Sequence, residues 1–244
     1  MSGKDKICII AGASSGIGAA CAESLTDAGW RVHGISRRKP EEWPSDRAYL
    51  EIDLTEVLSS PGELQEALTR SGLLPTGAGD AEIAVVHSVG DIYEQAPAGG
   101  APWERWRRSL DLCLGTAVVL TQATIEAVRA ASGSYVYVSS VAADRPYAGI
   151  ADYNAAKAAL RSYMRTMAAE LAPFGARANS VSPAVVDTPL FEAGPYSPAE
   201  AAGWHALGRI GSAAEVAAMI GHLVGRQGTW LTGQDYVMDG GMAL

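Results

Sequence analysis

Lys6-Ile7-Cys8-Ile9-Ile10-Ala11 runs straight into Gly12-Ala13-Ser14-Ser15-Gly16-Ile17-Gly18, and an apolar helical pattern continues from Ile17 to residue 28. A short, bounded apolar run of this kind reads as a buried strand. The glycines beyond it permit a turn too tight for side chains. A helix that starts there presents free N–H groups and about half a positive charge at its N-terminus. Strand, glycine turn and helix in this order make a phosphate site. The spacing is G-x-x-x-G-x-G, not the G-x-G-x-x-G of the usual dinucleotide fingerprint.

Outward from that turn the same alternation repeats. Gly29 closes the first helix. Residues 31–36, 49–54, 81–88, 134–140, 176–182 and 234–238 read as further strands. Helical patterns fill 103–131, 151–172, 198–203 and 213–225, and Pro173 with Gly175 ends the second of them. Strands alternating with helices predict a doubly wound α/β domain, a parallel sheet with helices on both faces and right-handed crossovers. The strands are continuously apolar, as strands covered on both faces are. The loops at 39–47 and 74–80 are too short to separate domains, so one domain is expected over 1–244.

Composition narrows the function classes. A chain of 244 residues can bury roughly 70–75% of its unfolded surface without disulfides or metal. Apolar residues make up 48% and charged residues 19%, which fits a globular protein and not a disordered one. Net charge is 19 − 27 = −8, which argues against general nucleic-acid binding. Cys8, Cys21 and Cys113 are odd in number and widely spaced, so neither a disulfide framework nor a metal site is expected. The first apolar stretch is too short for a secretory segment, and no run of purely apolar residues approaches the roughly 18 of a membrane span. A soluble, cytoplasmic protein without membrane or nucleic-acid partners is the expectation.

The end of the second strand selects the nucleotide. A carboxylate there would bond a ribose 2′-hydroxyl and repel a 2′-phosphate. This chain places Ser36, Arg37, Arg38 and Lys39 there instead. Guanidinium groups bind phosphate through charge-assisted, often bidentate bonds. The cluster points to NADP(H). Asp53, followed by Leu54, ends the third strand and is placed to accept from an adenine amino group.

Ser140 ends the fifth strand, with Tyr153 thirteen residues on and Lys157 four further. Four residues apart on a helix, Tyr153 and Lys157 share a face. An ammonium beside a phenol favours the phenolate and suits the pair to general acid/base work. A serine hydroxyl nearby can orient a substrate oxygen.

Taken together, these residues resemble the classical short-chain dehydrogenase/reductase family along nearly the whole chain. The resemblance rests on the Gly12 to Gly18 turn, Asp53-Leu54, Ser140/Tyr153/Lys157, Asn179-Ser180-Val181-Ser182-Pro183 and Thr188. It extends to Thr232-Gly233-Gln234 and Asp239-Gly240-Gly241. It implies a Rossmann fold, with Tyr153 exchanging the substrate proton, Lys157 lowering its pKa and binding the nicotinamide ribose, and Ser140 holding the carbonyl oxygen. It further implies that Gly90, Pro183, Val186 and Thr188 border the cofactor, and that the protein is a homotetramer. Helices 103–131 and 151–172 would form one interface through their alanine-rich faces.

The chain departs from the family in four places. His87-Ser88-Val89-Gly90 stands where Asn-Asn-Ala-Gly is usual. Cys113 replaces a catalytic asparagine that holds a relay water, and cysteine is a weak donor and acceptor. Pro183-Ala184 replaces Pro-Gly, and Ala11 replaces a frequent threonine.

Substrate contacts are expected from Ile92, Tyr93, residues 141–147 and a short lid at about 189–207 carrying Phe191, Tyr196 and Trp204. Such a lid suits a small, cyclic or aromatic carbonyl. Arg145 is a candidate for a substrate carboxylate, with Asp144 beside it as a neutralising partner. The expectation is therefore an NADP(H)-dependent ketoreductase or alcohol dehydrogenase. Two alternatives stay open: an NAD-dependent cyclic-diol dehydrogenase of the same family, and a non-catalytic NADP(H)-binding sensor or scaffold.

Overall fold

The computed structural model describes residues 5–45, 47–74, 81–92 and 95–244. Tyr93 and most of the 74–80 loop lie outside the described residues. In chain order the first elements are β1 (Asp5–Ala11), α1 (Gly16–Asp27), β2 (Arg31–Ser36), β3 (Tyr49–Glu51) and α2 (Pro61–Arg70). Then come β4 (Ala81–His87), α3 (Trp103–Leu110), α4 (Thr116–Ala130), β5 (Ser134–Val138), α5 (Ala151–Leu171) and β6 (Arg177–Pro183). The chain continues with β7 (Val186–Asp187), α6 (Pro189–Glu192), α7 (Pro198–Ala202), β8 (Gly211–Ser212), α8 (Ala213–Val224) and β9 (Asp235–Met238).

Seven strands form one parallel sheet in the order β3-β2-β1-β4-β5-β6-β9. The chain builds β1, β2 and β3 outward on one side, then returns to place β4 on the other side of β1. That reversal opens a crevice at the carboxyl ends of β1 and β4, the ligand position of open α/β sheets.

β1 shows why its run is unbroken. Ile7, Ile9 and Ala11 join the core packed against α2, α4 and α5. Cys8 and Ile10, on the opposite face, join the core with α1 and α8. Side chains alternate with period two, and both faces are covered. All three cysteines are free and buried.

Besides the short β7, α6 and β8, which the sequence reading did not expect, three features differ from expectation. The third strand stops at Glu51, because the Asp53 carboxylate accepts from Thr55 N at 2.9 Å and caps a 3-10 turn at Leu54–Val57. Helix α2 is unanticipated; it buries only Leu64 and Leu68, one helical turn apart. The 103–131 pattern is α3 and α4 joined by a π turn at Asp111–Gly115, which buries Cys113. Single π turns within α-helices are frequent at functional sites. Among the described residues, Trp103–Ala130 is the one helix long and apolar enough to cross a membrane, and half of its most apolar window is buried inside the fold.

Candidate active site

A groove of about 2040 Å³ opens over the carboxyl ends of the strands. Pockets for single small molecules run roughly 300–1,000 Å³, so this one has room for a dinucleotide and a second molecule. Gly12, Ser14, Ser15, Gly16 and Ile17 line it. Gly12 has φ +85°, and a Cβ there would meet Ser88 O at 2.5 Å. Gly18 instead sits behind the turn, where a Cβ would lie 2.1 Å from Gly12 O. Its part is to let α1 pack against the turn, since it does not border the groove.

Ser36, Arg37 and Arg38 line the groove at the end of β2. The Ser36 hydroxyl donates to Arg38 O at 2.6 Å and so fixes the bend that carries both arginines. Both guanidinium side chains are exposed, and among the described residues neither is in an ion pair. Lys39 is not among the residues lining the groove; its backbone N donates to Glu51 Oε2 at 2.7 Å. Asp53 and Leu54 line the groove next to the arginines, and Pro183, Val186 and Thr188 line it from the β6 side.

Ser140, Tyr153 and Lys157 converge in the same groove, with Gly90 opposite. Ser140 ends the strand run, and its Oγ accepts from Ala142 N at 3.1 Å. Tyr153 and Lys157 stand on the first two turns of α5, both buried. Lys157 Nζ donates to Val138 O at 2.8 Å. A Cβ on Gly90 would lie 2.9 Å from that nitrogen, so only glycine leaves the lysine head in place. Burial pushes the Tyr153 phenol up from its ordinary value, the nearby Cys113 thiol and Asp91 carboxylate add to this, and a hydrogen bond with Ser140 opposes it. Burial also lowers Lys157. Burial is the largest influence on the Tyr153 phenol and holds it above its ordinary value.

The unusual His87 and Cys113 are both fully buried. His87 Nε2 is 2.8 Å from Thr116 Oγ1, and that hydroxyl donates to Leu112 O at 2.5 Å in the π turn. His87 thereby ties β4 to the π turn, a supporting role. Cys113 packs against Tyr153, Ala142, Ile150 and Ala156.

Sequence reasoning missed the clamp beneath Tyr153. Arg105 donates to both oxygens of the buried Asp152 at 3.0 and 2.7 Å, and to Gly149 O at 3.0 Å; Ser109 donates to Asp152 at 2.5 Å. Asp152 immediately precedes Tyr153, and that adjacency was the available signal.

On the substrate side, Ile92, Tyr147, Phe191, Tyr196 and Trp204 line the groove. Tyr196 and Trp204 meet edge to face with centroids 4.9 Å apart. Arg145 does not face this space as expected: its guanidinium donates to Met242 O and Ala243 O. Asp144 pairs with Arg161 and not with Arg145, because Arg161 on α5 reaches both Asp144 and Asp235. Gln95, Arg108 and Met242 also line the groove, and no sequence motif marked them.

The family model described as enoyl-(acyl carrier protein) reductase matches residues 77–243. The protein FixR of Bradyrhizobium diazoefficiens is 32% identical over 256 residues, covering 99% of this chain and 88% of that one. The trans-4-hydroxycyclohexanecarboxylate dehydrogenase of Sinomonas cyclohexanicum is 27% identical, covering 97% and 92%. The solved aldohexose dehydrogenase of Thermoplasma acidophilum superposes with a TM-score of 0.84 at 27% identity, covering 98% and 94%. Sheet order, glycine turn and groove define a dinucleotide-binding α/β protein. The chain belongs to the classical short-chain dehydrogenase/reductase family of oxidoreductases, whose members bind a nicotinamide cofactor.

Proposed function

We propose that the protein is an NADP(H)-dependent ketoreductase or alcohol dehydrogenase acting on a small cyclic or aromatic carbonyl/alcohol pair. The observation that carries this reading is the convergence of Ser140, Tyr153 and Lys157 in one groove with the glycine turn and Arg37/Arg38. The residues fit a dinucleotide. Gly12 and Gly90 leave a cradle that side chains would fill, and at its rim Arg37 and Arg38 are cations with no ion pair among the described residues.

The cofactor supplies the hydride. This chain's residues position and neutralise. Ser140 and Tyr153 present hydroxyls that hold a carbonyl oxygen, and Tyr153, neutral in its buried setting, gives the proton to it during reduction. Lys157, anchored on Val138 O, keeps a cation beside that exchange. The lid aromatics and Tyr147 exclude water and favour an apolar ring.

The name of the Sinomonas relative supports a cyclic alcohol as substrate class. An NAD-dependent cyclic-diol dehydrogenase is the rival within the family, and Arg37/Arg38 weigh against it. A non-catalytic sensor is the rival outside it, favoured by Cys113 and opposed by the intact Ser140/Tyr153/Lys157 set. We further propose a cytoplasmic homotetramer using the faces of α3 and α4, over residues 103–131, and of α5. Steady-state kinetics with NADPH and NADH against a panel of cyclic and aryl ketones tests the reading. A higher kcat/KM with NADPH supports it, a preference for NADH overturns the cofactor assignment, and tight NADPH binding without turnover overturns the enzyme.

A further inference from the structure

Residues 239–243 are stitched to both walls of the substrate end of the groove. On the lid side, His205 Nδ1–H donates to Asp239 O at 2.6 Å and Leu207 N donates to Gly240 O at 3.0 Å. Gly241, at φ +78°, runs so close that a Cβ would be 2.8 Å from the Ala206 Cβ. On the other side Arg145 donates to the carbonyls of Met242, at 3.5 Å, and Ala243. Between these ties the Met242 side chain enters the groove, where the Tyr147 hydroxyl donates to its Sδ at 3.3 Å. Tyr147 in turn packs on the apolar cluster that contains Tyr153 and Cys113. Met242 is therefore linked through Tyr147 to the apolar cluster that holds the proposed proton donor.

We propose that Met242 is a specificity-determining residue that limits the ring size the groove accepts, with Tyr147 and Arg145 as positioning residues that hold it. This rests on the reading of the groove as a carbonyl-reducing site. A thioether is unbranched and polarizable, so by itself it adapts to many shapes. Here two backbone carbonyls and the sulfur are all held, which converts a flexible filler into a fixed wall. The wall is apolar at its methyl end, matching a hydrocarbon ring and not a carboxylate. Arg145 is spent on the carbonyls and is not offered to an acid group from this wall.

The test compares Met242→Ala, Met242→Phe and Arg145→Ala with the unaltered protein, using NADPH and a series from cyclopentanone to cyclooctanone. Removing the wall is expected to raise kcat/KM for cyclooctanone relative to cyclopentanone, three methylenes smaller, by about tenfold or more, since a single methylene already brings discrimination of about that size in an apolar pocket. Met242→Phe shifts the ratio the other way, Arg145→Ala shifts it as Met242→Ala does but less, and NADPH affinity holds. Equal changes across all ring sizes, or none, overturn the proposal. A readout free of turnover uses methyl-labelled methionine. The Met242 signal, identified by its loss in Met242→Leu, is expected to move when cyclohexanol is added with NADPH, a pair that cannot react. If no ketone is reduced but that signal moves, the reaction assignment fails and the wall stands; if neither occurs, both fail.

Discussion

Lys157 Nζ stands 5.6 Å from the ring centroid of Tyr153 while donating at 2.8 Å to Val138 O. The ammonium is thus positioned by the backbone of β5 as well as by its own flexible stem. Ser139 Oγ donates to Lys157 O at 3.2 Å and locks the same helical turn to the same strand end. Sheet and helix together set the spacing between the proposed acid and its cation.

Tyr153→Phe removes the proton and little volume. General acid catalysis by a positioned group contributes about 10²–10⁴-fold, and kcat is expected to fall by that amount while NADPH affinity holds. Because burial keeps the phenol up, reduction should not need high pH, whereas alcohol oxidation should rise with pH. Unchanged kcat in the variant would remove Tyr153 from the acid/base role.

Arg37→Ala and Arg38→Ala remove cations that have no ion-pair partner among the described residues. Hydrogen bonds to charged groups are worth about 1.5–3 kcal/mol. Each variant should lose roughly 10–150-fold in kcat/KM for NADPH and keep its value for NADH. The NADPH/NADH ratio of kcat/KM reads this directly, and a parallel loss with both cofactors contradicts a 2′-phosphate contact.

The site's local parts were legible where chemistry demands short-range spacing. The glycine turn, the Tyr153/Lys157 pair and the arginines all sit within one strand-helix unit each. What stayed hidden arises from long-range closure. Arg105 meets Asp152 across 47 residues, and Arg145 meets Met242 across 97. Neither pair has a spacing rule, and only the packing of α3 on α5, or of residues 239–243 on the lid, creates it. Helix α2 escaped notice because two leucines anchor ten residues, too thin a stripe to register as periodic. The π turn is invisible for a related reason: 103–131 keeps its helical character through the extra residue.

Two buried histidines give the fold an acid-side weakness. Burial, with Lys157 nearby, lowers His87 to about 3, and burial, with Arg31 nearby, lowers His33 to about 4. The unfolded chain takes up each proton near pH 6.5, before the folded one does. Stability is therefore complete above pH 6.5 and falls as pH drops towards 4, by at most about 1.4 kcal/mol per pH unit for each histidine. Urea unfolding at pH 7, 6 and 5 measures this. His87→Asn should reduce the slope by about one proton; an unaltered slope would mean that His87 is not the group protonated on unfolding.

The Arg105–Asp152 pair makes the strongest stability prediction. Side-chain exposure is 12% for Arg105 and 1% for Asp152, so neither charge is screened by bulk water. Burial alone would raise the Asp152 carboxyl, yet hydrogen bonds from Arg105 and Ser109, with the Arg105 charge, hold it below its ordinary value. Asp152→Asn keeps the shape and leaves the guanidinium facing a neutral amide. Breaking a buried pair from one side costs about 3–5 kcal/mol. At roughly 2–4 °C per kcal/mol for a domain of this size, Tm should fall by about 10 °C. Arg105→Lys keeps the charge but loses the fork that meets both oxygens and Gly149, so it should recover only part of that loss. The clamp also seats the first turn of α5, and Tyr153 with it. Arg105→Lys should therefore lower kcat more than it raises KM, at a temperature where the variant is fully folded. A Tm within a degree or two of the unaltered protein for Asp152→Asn would show that water reaches the pair and that the clamp adds little.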